Sequence, residues 1–165
     1  MKAKSMTPSS DVTTIPEERI AELGLVLPSA TASLAAYVPA VRSDQYIYTS
    51  GQLPLRDGQM LSPGKVGAEI SLDDARDAAQ QCAINALAAV RAVTGGLAAV
   101  RRVVKVVGFV ASAPEFTDQP QVINGASELL VSVFGPAIGE HARSAVGVAA
   151  LPLNAPVEVE IIVEI

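Results

Sequence analysis

The sequence predicts an α+β domain in which two helices cover one face of a mixed sheet of five to six strands. Two segments repeat apolar residues at three- and four-residue steps, as amphipathic helices do. Runs rich in Val and Ile lie before, between and after these segments and indicate strands. Because each helix has a single apolar face, two helices cover only one side of such a sheet and leave its other side bare.

The N-terminal part of the chain predicts a tail and one short helix. Residues 1–13 mix Ser, Thr, Lys and Pro without periodicity and predict a flexible tail. A single domain is predicted over 14–165. It begins with a helix at about 16–23, which Pro16 suits at the first turn and Gly24 ends.

A hairpin and a long helix follow. Residues 35–50 alternate as two strands do, with 42–45 between the strands, and 51–70 is rich in turn residues, with a short strand near 59–61. Ser71 is predicted to cap a long helix that Gly95 and Gly96 end. Its apolar face is mostly Ala and consists of Leu72, Ala75, Ala79, Cys82, Ala83, Ala86, Val90 and Val93. Cys82 on this face predicts a small core residue rather than a nucleophile.

The C-terminal half predicts a central strand at 103–110, a helix at 119–134 and two strands at about 142–149 and 156–164. In the last strand, alternation places the Val residues beneath the helices and Glu158 and Glu160 on the bare face. That face is either solvated or buried in a symmetric oligomer. Because only 4% of the residues are aromatic, a large core is hard to build within one chain, which favours the oligomer.

Composition excludes several classes of protein. The 12 basic and 17 acidic residues sum to −5, which argues against nucleic acid as the main partner. No apolar run reaches the roughly 18 residues that a membrane span needs. With one cysteine and no signal-peptide pattern in the first residues, we expect a cytoplasmic protein. His141 is the only histidine, so no metal site is expected.

Three ionisable side chains are candidates for chemistry, and each has an ordinary alternative. Arg143 suits a carboxylate ligand, or it is a surface residue paired with Glu140. Glu158 and Glu160 suit proton transfer if they are partly desolvated, or they are solvated on an outward face. His141 suits a general base, or it is exposed beside a glycine-rich turn.

Several segments together resemble the RidA family, also called YjgF or endoribonuclease L-PSP. The most specific block runs from ARSAV at 142–146 through LP at 151–152 to VEVE at 157–160. Weaker matches are AYV at 36–38, YTSGQ at 48–52, VVKVV at 103–107 and Asn124. The resemblance runs in order from about Leu34 to the C-terminus.

This resemblance implies a chorismate-mutase-like fold assembled as a homotrimer with clefts between subunits. Members of the family hydrolyse reactive enamines and imines, such as 2-aminoacrylate, to 2-keto acids and ammonia without a metal or cofactor. Arg143 matches the family's carboxylate-binding arginine, and Glu158 matches the glutamate that positions water. The positions that match cleft-lining or commonly retained residues are Tyr37, Ser50, Gly51 and Asn124.

The implied partner is a small carboxylate-bearing imine, enamine or keto acid, with neither nucleic acid nor membrane. Two other functions stay open: a trimer that binds a carboxylate metabolite without catalysis, and an endoribonuclease, which the acidic charge makes the least favoured. A chorismate mutase rests on fold alone, which is weak support. Ala145 stands where members often carry Cys. Residues 60–70 and the N-terminal extension lie outside the short family pattern.

Overall fold

A computed structural model of the protein describes residues 16–29 and 36–165. It contains a five-stranded mixed sheet in the order β1-β2-β7-β5-β6, in which β5 and β6 are parallel and the other neighbours antiparallel. A two-stranded ribbon, β3-β4, lies apart from it. The strands are β1 (Ala40–Ser43), β2 (Tyr46–Thr49), β3 (Leu55–Arg56), β4 (Gln59–Met60), β5 (Arg102–Ala111), β6 (Ala142–Val148) and β7 (Val157–Glu164). The α+β class with a mixed sheet is confirmed, whereas the predicted tail lies outside the described residues.

The helices are α1 (Pro16–Glu22), α2 (Leu72–Thr94), α3 (Gln119–Phe134) and α4 (Pro136–Gly139). The predicted ends of α2 are confirmed: the Ser71 hydroxyl accepts a hydrogen bond from the Asp74 backbone N–H, and Gly95 ends the helix with a φ of 82°. The helix at 119–134 begins and ends as predicted. Within the described ranges, no helix is long and apolar enough to cross a membrane.

The buried surface of α2 is wider than predicted. Ile84, Leu87 and Ala88 are buried in addition to the Ala-rich stripe, because α2 packs on α3 as well as on β7. Cys82 is fully buried, as predicted, and its Sγ contacts the carbonyl oxygen of Val157. The assignment of Val93 to the core was wrong: its side chain is exposed in the last turn of α2.

The hairpin differs from the prediction. Arg42 and Ser43 belong to β1, so the hairpin turn is only Asp44-Gln45, and Asp44 has a φ of 55°. β5 lies inside the sheet, between β7 and β6, as predicted for a central strand, and the C-terminal strand β7 inserts between β2 and β5. The 60–70 segment is tied to the end of β5, where the Val66 backbone N–H donates to the Ala111 carbonyl oxygen at 2.9 Å.

The two faces of the sheet differ in what they contact. Along β7, Val157, Val159, Ile161 and Val163 are fully buried in the core, and the residues between them are only partly buried. The predicted alternation is therefore confirmed. The face away from the helices, here called the open face, exposes apolar side chains as well as the carboxylates of Glu158 and Glu160. Val41, Tyr48 and Val146 on this face are 51%, 42% and 45% exposed.

Candidate functional site: an arginine cluster and a glutamate cluster

Arg143 lies in the edge strand β6 and reaches toward the helices. Its strand partner is Val106, whose side chain is buried in the core. Nη1 of Arg143 donates hydrogen bonds to Asn124 Oδ1 at 2.8 Å and to Ser127 Oγ at 3.2 Å. Asn124 and Ser127 lie three residues apart on α3 and therefore share one face of the helix. One nitrogen of the guanidinium is thus held by two acceptors.

His141 continues this hydrogen-bonded chain. Its Nδ1 lies 2.6 Å from the Gly139 carbonyl oxygen and its Nε2 lies 3.0 Å from Ser127 Oγ. A carbonyl only accepts, so the network assigns the proton to Nδ1 and makes Nε2 the acceptor of the Ser127 hydroxyl. Burial lowers the pKa of His141, and the Arg143 charge lowers it further, while the bond to Gly139 opposes both. We call Asn124, Ser127, His141 and Arg143 the arginine cluster.

The ordinary alternatives for Arg143 and His141 were wrong. His141 is half-buried and hydrogen-bonded rather than freely exposed. Across residues 16–29 and 36–165, the ion pair that forms joins Arg76 to Glu128, so Arg143 is not neutralised by Glu140. The arginine cluster lines a shallow, open depression of 440 Å³ together with Val131 and Glu140. An anion can therefore approach an unneutralised cation from solvent.

Glu158 lies in β7 and is in close contact with Gly51. A Cβ atom on Gly51 would lie 1.8 Å from Glu158 Oε1, so only glycine leaves room for the carboxylate. The backbone is fixed here, since Gln52 N–H donates to the Val159 carbonyl oxygen at 2.8 Å and Val159 N–H donates back at 3.0 Å. Burial raises the pKa of Glu158, and the charge of Glu160 raises it further.

The remaining predicted positions are Ser50, beside Gly51, and Tyr37, in the segment before β1. Ser50 Oγ donates to the Val38 carbonyl oxygen at 2.6 Å and ties the segment before β1 to the end of β2. Tyr37 is the preceding residue of that segment, and its side chain is 53% exposed. We call Ser50, Gly51 and Glu158 the glutamate cluster.

The two clusters lie on opposite faces of the sheet. Glu158 pairs with Phe109 of β5, whereas Arg143 pairs with Val106 of the same strand. These β5 positions are three apart, and side chains alternate along a strand, so the two pairs point to opposite sides. One chain therefore does not bring Arg143 and Glu158 together on one face, although both were predicted to act on one substrate.

Ser127 was missed by the sequence reasoning, and His141 was not expected to contact it. The signal for Ser127 was its spacing from Asn124: two polar residues one turn apart on a helix otherwise rich in buried apolar residues. In the described ranges, no group of three or more His, Cys, Asp or Glu side chains is arranged to hold a metal ion. Burial raises the pKa of the Cys82 thiol and disfavours a thiolate.

The chain is similar to known proteins in sequence and in fold. Residues 28–165 match the family model described as Endoribonuclease L-PSP. The chain therefore belongs to the endoribonuclease L-PSP family, also called YjgF or RidA, and the resemblance stated above is confirmed. A curated relative is Protein TCP17 of Trypanosoma cruzi, 46% identical over 143 residues that cover 87% of this chain and 89% of that protein.

Several solved structures share the fold. Atu1372 of Agrobacterium tumefaciens, described as having unknown function, is 49% identical, with a TM-score of 0.85 over 92% of this chain and 93% of that one. A candidate endoribonuclease of Shewanella oneidensis MR-1 is 30% identical, with a TM-score of 0.88 over 92% and 100% of the two chains. The YjgF gene product of E. coli is 27% identical, with a TM-score of 0.62 over 82% and 93%.

Proposed function

We propose that the protein hydrolyses reactive enamines and imines of the 2-aminoacrylate type to 2-keto acids and ammonia. We propose further that each catalytic site joins the arginine cluster of one chain to the glutamate cluster of a partner chain in a homotrimer. The observation that carries the proposal is the position of Arg143, a partly buried cation held by neutral acceptors beside an open depression. Such a cation suits a small carboxylate.

Arg143 would bind the substrate carboxylate. Its Nη1 is occupied by Asn124 and Ser127, whereas Nε and Nη2 donate no hydrogen bond within the described ranges. These two nitrogens form one edge of the planar guanidinium, and their N–H bonds point the same way. That edge can make two parallel hydrogen bonds to a carboxylate while Nη1 stays fixed.

Glu158 would carry the proton. Its raised pKa makes the carboxylate a stronger base than an ordinary glutamate and brings it closer to the working pH. It accepts a proton from water as the water oxygen bonds to the carbon of the protonated imine and the C=N π electrons move to the nitrogen, which gives a carbinolamine. It then donates that proton to the amino nitrogen. As the C–N bond breaks, the hydroxyl proton passes to the departing ammonia, which leaves as ammonium, and a C=O group remains. Such a relay contributes about 10²–10⁴-fold.

The open face of the sheet supports assembly. Val41 and Tyr48 pair across β1 and β2 and expose apolar surface there, and Val146 does so on the edge strand β6. Exposed apolar surface on a sheet face suits an interface between proteins. Closed symmetric assembly of identical chains would cover the open face. It would also give the arginine cluster of one chain a neighbour that supplies a glutamate cluster.

The test is a coupled assay. A pyridoxal-phosphate-dependent serine or threonine dehydratase releases the imine precursor, and keto-acid formation is followed with and without the protein. We expect acceleration by the wild type and by Arg76→Ala, which removes a surface arginine, and none by Arg143→Ala. No acceleration with several amino-acid-derived imines would contradict the proposal, as would an active Arg143→Ala variant.

A non-catalytic carboxylate-binding protein is the second candidate. The arginine cluster is complete within one chain, so carboxylate binding does not require Glu158. Binding of a 2-keto acid by calorimetry without turnover of any imine would favour this function. The endoribonuclease activity named for relatives fits less well, because a net charge of −5 offers an RNA backbone little attraction.

A further inference from the structure

We propose that His141 is a positioning residue which holds Arg143 through Ser127 and couples carboxylate binding at Arg143 to the protonation of its own imidazole. This inference rests on the proposed carboxylate site but concerns binding rather than turnover. It assigns a role to the only histidine of the chain and to Ser127, neither of which touches the substrate in the proposed reaction.

The directions of the hydrogen bonds connect Arg143 to His141. The Gly139 carbonyl oxygen accepts a hydrogen bond from Nδ1–H, Nε2 accepts one from the Ser127 hydroxyl, and Ser127 Oγ accepts one from Arg143 Nη1. With His141 neutral, each of these N–H and O–H groups has its own acceptor. Ser127 cannot turn its hydroxyl elsewhere without losing the bond to Nε2. The orientation of the guanidinium thus depends on the imidazole.

His141 also has a fixed support. A Cβ atom on Gly139 would lie 2.7 Å from the Leu130 carbonyl oxygen and 2.7 Å from Val131 Cα, so the end of α4 lies directly against the backbone of α3. The carbonyl that accepts from Nδ1 belongs to this closely packed residue. His141 therefore links two closely packed elements, α3 and α4, to the Arg143 guanidinium.

Protonation of His141 changes the charge around Ser127. When Nε2 is protonated it becomes a donor, Ser127 Oγ accepts from both cations, and the hydroxyl proton turns away. Two positive charges then lie on either side of one hydroxyl. The titratable groups that line the depression with His141 are Arg143 from β6 and Glu140 beside it, and the residues of α3 that line it carry no charge. A bound carboxylate would offset the repulsion between the two cations.

Coupling of this kind is reciprocal. A carboxylate that binds more tightly to the protonated form must raise the pKa of His141 by the same free energy. In the unliganded protein that pKa is lowered by burial and by Arg143. We expect saturation with pyruvate to raise it by about half a unit, which corresponds to about threefold tighter binding below the pKa than above it.

The experiment uses tag-free protein, in which His141 gives a single set of imidazole NMR signals. Its pKa and tautomer are measured with and without pyruvate, and pyruvate affinity is measured by calorimetry at about pH 5.5 and about pH 8. We expect the proton of the neutral His141 imidazole to lie on Nδ1 and pyruvate to raise the pKa of His141. The ratio of the pyruvate affinities at the two pH values should agree with that rise. A purely structural His141 would show none of this coupling.

Variants separate the causes. His141→Gln keeps an acceptor for Ser127 but cannot titrate. Its affinity for pyruvate should therefore lose the difference between about pH 5.5 and about pH 8, here called the pH step. Glu140→Gln removes the carboxylate of the depression and should keep the step. The proposal is overturned by an unchanged His141 pKa at saturating pyruvate, by the same pH step in His141→Gln, or by wild type that binds no pyruvate. Imine turnover, assayed separately, can fail while the coupling holds, or succeed while the coupling is absent.

Discussion

Arg143 and Glu158 lie on opposite faces of one sheet, three positions apart when both are projected onto β5 through their partners Val106 and Phe109. Arg143 is bound to α3 on the helical side, whereas Glu158 is beside Gly51 on the open face. A substrate small enough to be an amino-acid-derived imine cannot contact both through the sheet. If both residues act on one substrate, as proposed, they therefore come from different chains.

Arg143→Lys should lower kcat/KM for imine hydrolysis by about 10- to 100-fold. Lysine keeps the charge but cannot hold Asn124 and Ser127 while presenting two parallel donors to a carboxylate. The measurement is the coupled keto-acid assay, with Arg76→Lys as the matched control because Arg76 forms only a surface ion pair with Glu128. Equal losses in both variants would argue against a carboxylate-binding role.

Glu158→Gln should lower kcat by about 10²–10⁴-fold and leave stability at neutral pH equal to or above that of wild type. The folded-state pKa of Glu158 is raised, so the folded protein binds the proton more tightly than the unfolded chain. Wild-type stability therefore falls as pH rises from the unfolded value, about 4.3, through the folded pKa. Denaturant titrations of both proteins across this pH range measure the free energy of unfolding. The amount by which the variant exceeds the wild type should decrease as the pH falls.

Gly51→Ala should reduce activity by about 10²-fold with little change in stability. The added Cβ would occupy the position of the Glu158 carboxylate, and the flexible end of that side chain would move aside. Gly96→Ala is the control, since Gly96 has an extended backbone with a φ of −179° and the nearest atom to an added Cβ lies 3.8 Å away. An active Gly51→Ala variant would show that the position of Glu158 is unimportant.

Gly125→Ala should lower the free energy of unfolding by about 1–3 kcal/mol. Its Cβ would lie 2.1 Å from the carbonyl oxygen of Arg76, which is backbone and cannot swing away. Helices α2 and α3 would have to separate. Denaturant midpoints of this variant and Gly96→Ala measure the difference, and equal midpoints would mean that the helices tolerate the separation.

Most elements were predictable because local patterns specify them. The apolar spacing of α3 and the alternation of β7 carry enough information to place both, and Ser71 and Gly95 mark the ends of α2. The position of β7 in the middle of the sheet was not predictable, because it depends on pairing between strands distant in the chain.

The placement of Arg143 and Glu158 on opposite faces of the sheet could not be predicted from the sequence either. β6 contains small residues on both sides of Arg143, so its alternation does not show which face Arg143 occupies. The contact between His141 and Ser127 depends on how α4 packs against α3, which no local pattern specifies. The sequence alone indicates that Arg143 suits a carboxylate and that Glu158 suits a proton transfer. Their placement on two faces of the sheet is visible only in the fold.

The most direct test of a site shared between chains is complementation. Arg143→Ala and Glu158→Gln proteins, each inactive alone, are unfolded together in equal amounts, refolded and assayed for imine hydrolysis. If Arg143 and Glu158 act across a subunit boundary, random mixing gives about one quarter of the sites both native residues, and about a quarter of wild-type activity returns. If both residues of a site come from one chain, the mixture stays as inactive as its components, and the shared site is contradicted.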